Sequence, residues 1–98
     1  MPPMDPRLMR PKRRGPTVPG APTIIVASES EGLQWSPPAN TGGSAIIEYR
    51  LYEFGILLDV VGGNETTWYN PPAPGNTYTV SAVNVVGEGP QSPPVIAA

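Results

Sequence analysis

"LQWSPPANTGGSAIIEYRLY", residues 33–52, holds two runs of strand-forming residues on either side of a turn-rich connection. Leu33 and Trp35 flank Gln34, so both fall on one face of an extended segment. After the connection, Ile47, Tyr49 and Leu51 share one face, and Glu48, Arg50 and Tyr52 share the other. A period of two argues for strands. The prolines of "SPPANTGGS" lack a backbone donor, and Gly42 and Gly43 permit the positive φ that a chain reversal needs. A Trp on such a strand fills the space between two sheets about 10 Å apart. Trp35 is therefore expected in a core.

The same pattern continues outward. Runs rich in Val, Ile, Thr, Tyr and Trp lie at about 23–28, 32–36, 46–54, 56–61, 66–70, 77–84 and 91–96. "SESEG", "GGNE", "NPPAPGN" and "GEGPQSPP" interrupt them. In "YTVSAVN", Tyr78, Val80 and Ala82 share a face. No ten-residue window carries a clean helical stripe, and no internal repeat occurs. The expected fold class is all-β, a seven-strand, two-sheet sandwich. Its expected core is Leu33, Trp35, Tyr49, Leu51, Tyr78, Val80 and Ala82.

Ninety-eight residues, 39% of them hydrophobic, allow one small domain. The charge divides the chain in two. Residues 1–22 hold seven prolines, and five cations against Asp5, a balance of +4. Residues 23–98 hold Arg50 against seven acids, a balance of −6. The first stretch has almost nothing to bury and cannot fold alone. The expected organisation is an extended Pro/Arg-rich arm over residues 1–20 and a domain over 21–98.

Catalysis is not expected. The chain has no Cys and no His, which removes disulfides, thiolate metal sites, the commonest general base and the commonest metal ligand. Its only lysine is Lys12, in the arm. Glu29 and Glu31 read as a solvated turn, and "VGEGPQS" is a turn without a phosphate-binding context. No catalytic, cofactor-binding or metal-binding residue is assigned. No apolar run approaches the ~18 residues of a membrane span, and none behind the basic start resembles a secretory signal. Without such a signal the chain is expected to remain soluble and unexported, and "MPPMDPRLM" and "PVIAA" read as natural ends that argue against a fragment.

"PGAPT…LQWSPPANTGGSAIIEYRLY…PAPGNTYTVSAVNVVGEGPQSPP" resembles a fibronectin type III domain over nearly all of residues 20–98. The landmarks fall on Pro22, on Trp35 with Pro37 and Pro38, and on Ile46 and Tyr49. They continue at Pro74–Gly75 with Tyr78, and at Ala82, Asn84, Gly87, Gly89 and Ser92. The phrasing "SPPANTGGS" is closer to the bacterial and bacteriophage branch than to animal matrix proteins. The resemblance implies an immunoglobulin-like sandwich that binds or builds rather than catalyses.

Two departures stand out. The stretch from "PG" to "AVN" is two residues shorter than is usual in the family. Either Tyr78 is the tyrosine corner on a shortened strand, or it has moved into the strand and the corner is lost. Pro72 stands where the family usually places Leu, so that end is either looser or filled by Tyr69.

Two surface features remain. "ILLDVV" (56–61) is apolar except for Asp59, and alternation can bury only half of it. Either a bulge or loop tucks most of it into the core, or it is a docking edge. Adjacent Trp68 and Tyr69 must point to opposite faces, and Trp68 is expected outside. Ile56, Leu57, Leu58 and Trp68 are thus the candidate edge contacts, for a neighbouring subunit or for self-association.

In the arm, Arg7, Arg10, Lys12, Arg13 and Arg14 are the candidate partner contacts. "RRGPTVP" (13–19) matches a basic-x-x-Pro-x-x-Pro ligand pattern. Clustered cations with no aromatic between them are a weak nucleic-acid signal, so the expected partners are protein subunits of a larger assembly. Phage virions commonly carry immunoglobulin-like and fibronectin-like domains. The resemblance therefore implies a non-enzymatic virion component, assembled in the host cytoplasm. It would be a capsid decoration or accessory protein, held by the arm to a major capsid or tail protein. The alternatives are a tail-associated protein and a cellular adaptor binding protein or carbohydrate.

Overall fold

The computed structural model describes residues 15–98 and is all-β there. Its strands are β1 Thr23–Ser28, β2 Gly32–Ser36, β3 Glu48–Glu53, β4 Ile56–Gly62, β5 Thr67–Trp68, β6 Thr77–Val83 and β7 Val95–Ile96. They form two antiparallel sheets, ordered β1-β2-β5 and β4-β3-β6-β7. The expected two-sheet sandwich is present.

Alternation along β2, β3 and β6 places the core. Leu33, Trp35, Tyr49, Leu51, Tyr78, Val80 and Ala82 are all buried, joined by Ile24 and Trp68. The two sheets meet through aromatic pairs at both ends. Trp35 and Tyr49 pack edge-on at 5.4 Å near the end of β2 and the start of β3. Trp68 and Tyr78 pack tilted at 6.5 Å at the opposite end. Trp35 Nε1 is buried without a hydrogen-bond acceptor.

Several expectations change here. Ile47 was read on the inner face, but it precedes β3 and is exposed, while Ile46 packs on the core. Tyr78 remains the corner: its hydroxyl accepts the Ala73 N–H at 2.7 Å and donates to Glu53 Oε2 at 2.5 Å. Pro72 is itself fully buried, so neither a loose end nor Tyr69 is needed to fill that corner. The last strand shrinks to two residues, because Pro93 and Pro94 lack donors. Ser92 extends the pairing instead: its N–H donates to Val80 O at 2.8 Å, and its Oγ accepts the Val80 N–H at 2.9 Å.

Candidate functional site

The expected arm and edge contacts direct attention to two regions of the body, which lie at different places along the strands. The first is where the chain enters. Asn84, just after β6, is 2% exposed. Its Nδ2 donates to Thr17 O at 2.7 Å and to Thr41 O at 2.9 Å. Its Oδ1 accepts the N–H groups of Val86 at 2.9 Å and Gly87 at 3.3 Å. One side chain thus ties the incoming chain, the β2–β3 connection and the β6–β7 turn together. Backbone bonds reinforce it: Thr17 N–H donates to Gly42 O and Gly20 N–H to Asn40 O, both at 2.8 Å. Glycine is required in two places. A Cβ on Gly42, at φ +81°, would lie 2.1 Å from Thr17 O, and one on Gly89 would lie 2.0 Å from Pro19 O. Pro19 is fully buried.

These contacts carry the packed chain back to Thr17, so the last four residues of the stretch expected to be arm belong to the packed body. They also correct the "RRGPTVP" reading, since a Pro-x-x-Pro ligand must present both prolines and Pro19 is inside. Arg7, Arg10, Lys12, Arg13 and Arg14 lie outside the described residues.

The second region is the β4 edge. Ile56, Leu57 and Leu58 are 72%, 51% and 42% exposed. The register slips between Leu51 and Tyr52, opposite Leu58, which makes a bulge. It does not tuck Ile56, Leu57 and Leu58 inward, which corrects the reading that a bulge buries most of the run. Trp68 is corrected: it is 8% exposed, and Tyr69, at 80%, is the outward aromatic. Trp68 Nε1 donates to Asp59 Oδ2 at 2.9 Å, linking the β5 and β4 edges across the open side of the sandwich. The other carboxylate oxygen of Asp59 accepts the Val60 N–H at 2.8 Å. Gly63 N–H donates to Ile47 O, and by alternation the Val60 N–H faces away from β3, onto the free edge. Asp59 therefore occupies one of the donors that an added strand would use. This edge offers side chains rather than a backbone ladder.

The outer face of the four-stranded sheet is polar and already satisfied. Glu88 accepts from Tyr52 OH, from Ser81 Oγ at 2.5 Å and from Arg50 Nη1 at 3.0 Å. Arg50 Nε also donates to Glu48 Oε2 at 2.8 Å. Burial alone pushes the Glu88 carboxyl up, but the Ser81 and Tyr52 hydrogen bonds and the Arg50 charge hold it below the usual range. The Tyr52 hydroxyl is pushed up by burial and by Glu88. Such a network fixes the side chains of that face. Among the described residues no group of three or more His, Cys, Asp or Glu could hold a metal ion, and no helix is long and apolar enough to cross a membrane.

Sequence reasoning missed Phe54. With Gly55 it forms the β3–β4 turn, at φ +52° and +80°, the left-handed pair of a two-residue type I′ hairpin. Asn or Asp is favoured at that first position, and a bulky residue there is strained. The readable signal was an aromatic directly before a glycine between two strands.

No family model and no curated protein matches the chain. Solved structures do. The solution structure of the sixth fibronectin type III domain of human fibronectin type III domain containing protein 3 is 27% identical, with a TM-score of 0.51. The likeness covers 84% of this chain and 83% of that one. A crystal structure of a titin segment is 21% identical, with a TM-score of 0.53, over 85% of this chain. The chain spans about a third (34%) of that segment. These likenesses do not extend to the bacterial and bacteriophage branch. Domains of this fold commonly mediate protein–protein interaction. Sheet order, corner tyrosine and likeness together give this chain the fold of a fibronectin type III domain.

Proposed function

We propose that the chain is a non-enzymatic structural and binding protein of a larger assembly, an accessory or decoration component of a bacteriophage virion. Residues 1–14 attach it to another protein subunit, and the sandwich is the displayed head. The observation that carries this reading is the fastening of Thr17 and Pro19 into the body by Asn84, Gly42 and Gly89. A tail without a task needs no such root. The opposite charges of residues 1–22 and 23–98 add to it, because the first stretch suits an acidic neighbour. The 27% identity to a human domain favours a second reading, a cellular protein-binding adaptor.

The test uses a chain beginning at Gly15, which keeps the braced residues. It is expected to melt as the full chain does and to be missing from purified virions that contain the full chain. Virions that take up both equally, or that contain neither, overturn the reading.

A further inference from the structure

We infer that the end of the sandwich opposite the arm root is a docking surface for the arm of a second copy of this chain. The inference rests on the assembly reading above and names the arm's partner. The surface begins at Phe54, which is 62% exposed and held in left-handed backbone at a hairpin tip. Strain of this kind persists where function needs the side chain. Ile56, Leu57 and Leu58 continue the apolar surface along β4. Tyr69 lies at the same end, because Leu33 pairs with Trp68 and a Cβ on Gly32 would lie 3.5 Å from Tyr69 Cα. That contact also brings Tyr69 beside the exposed Glu29–Glu31 turn. This end thus exposes the aromatic side chains of Phe54 and Tyr69 and the aliphatic ones of Ile56, Leu57 and Leu58, with the Glu29–Glu31 carboxylates on the Tyr69 side.

Its chemistry fits residues 1–14, which place Met4, Leu8 and Met9 among Arg7, Arg10, Lys12, Arg13 and Arg14. Guanidinium groups pair with carboxylates and stack on aromatic faces. A second whole head is a poor occupant, since each head carries a balance of −6. Strand addition is opposed by Asp59 on the Val60 N–H. The arm leaves one end and the surface lies at the other. The contact joins the root end of one copy to the far end of the next, and head-to-tail contacts of this kind let copies add in an open series.

The experiment is sedimentation velocity on the full chain and two variants. In the arm variant, Arg10→Glu, Lys12→Glu, Arg13→Glu and Arg14→Glu are combined. In the surface variant, Phe54→Asn is combined with Glu29→Gln and Glu31→Gln. The native chain is expected to grow into species larger than dimers as concentration rises, about tenfold less readily at high salt. Each variant alone stays monomeric, and their equimolar mixture stops at a dimer. Phe54→Asn alone weakens association while raising the melting temperature, which separates docking from folding. A native chain that is monomeric at every concentration overturns the inference, as does an arm variant that associates normally. A mixture that stays monomeric also overturns it, including when the arm folds back on its own head. A monomeric chain whose arm still carries it into virions removes self-docking and leaves the assembly reading intact.

Discussion

The two ends of this sandwich are built on different terms. At the arm root, one amide side chain makes four hydrogen bonds and two glycines leave no room for a methyl group. At the far end, Phe54 is strained and exposed, and Ile56, Leu57 and Leu58 have no cover within their own domain. The first end is optimised for holding the chain in place. The second gives up local stability for exposed apolar side chains. The difference teaches that in this domain the exposed apolar side chains stand where local rules are broken, not where polar groups are most densely bonded.

Substitutions can break or sharpen that contrast. Trp35→Ala has the largest effect, because its ring packs on Tyr49 at the root end of the core. It is expected to lose about 3–5 kcal/mol in urea unfolding, a large share of a small domain's stability. Gly89→Val drives a side chain into Pro19 O and is expected to cost about 3 kcal/mol. Amide exchange at Thr17 and Gly20 should quicken with it. Asn84→Ala leaves Thr17 O and Thr41 O without their side-chain donor, for about 2 kcal/mol. Its melting temperature should fall while the β4 surface is unchanged. Phe54→Asn reverses the sign: relief of the left-handed strain should stabilise the domain by about 1 kcal/mol in the same titration. Leu58→Lys is the smallest, within about 0.5 kcal/mol, because the side chain is already exposed. A large loss at Leu58, or a loss at Phe54, would erase the distinction between the ends.

Long alternating strands could be read from sequence because alternation fixes their phase. β2, β3 and β6 each carry several turns of the period, and their inward residues were all identifiable. β5 has two residues and no phase of its own. Its orientation is set by Asp59, nine positions away, whose carboxylate draws the Trp68 indole inward. Nothing near "TTWYN" encodes that. Ile47 failed for a related reason: it stands one residue before β3, where the ladder does not yet hold its direction. The start of the packed chain was hidden because Pro16–Gly20 looks like linker by composition. Its partners are Asn84 and two glycines contributed by other loops. The apolar edge was visible as an unusual run, but whether it lay inside or outside depended on the bulge opposite Leu58.

The Asn84 clamp also has a mechanical consequence. A force drawn along residues 1–14 enters the body at Thr17, ahead of β1. β1 is the outermost strand of its sheet, and an edge strand tugged from its end peels away one bond at a time. Asn84 follows β6, which lies in the other sheet and pairs on both sides, with β3 and with β7. The load therefore passes first across the Asn84 and Gly42 hydrogen bonds, and through Asn84 toward an interior strand of the opposite sheet. A pull on the chain ahead of Thr17 is thus resisted by the body before β1 can unravel.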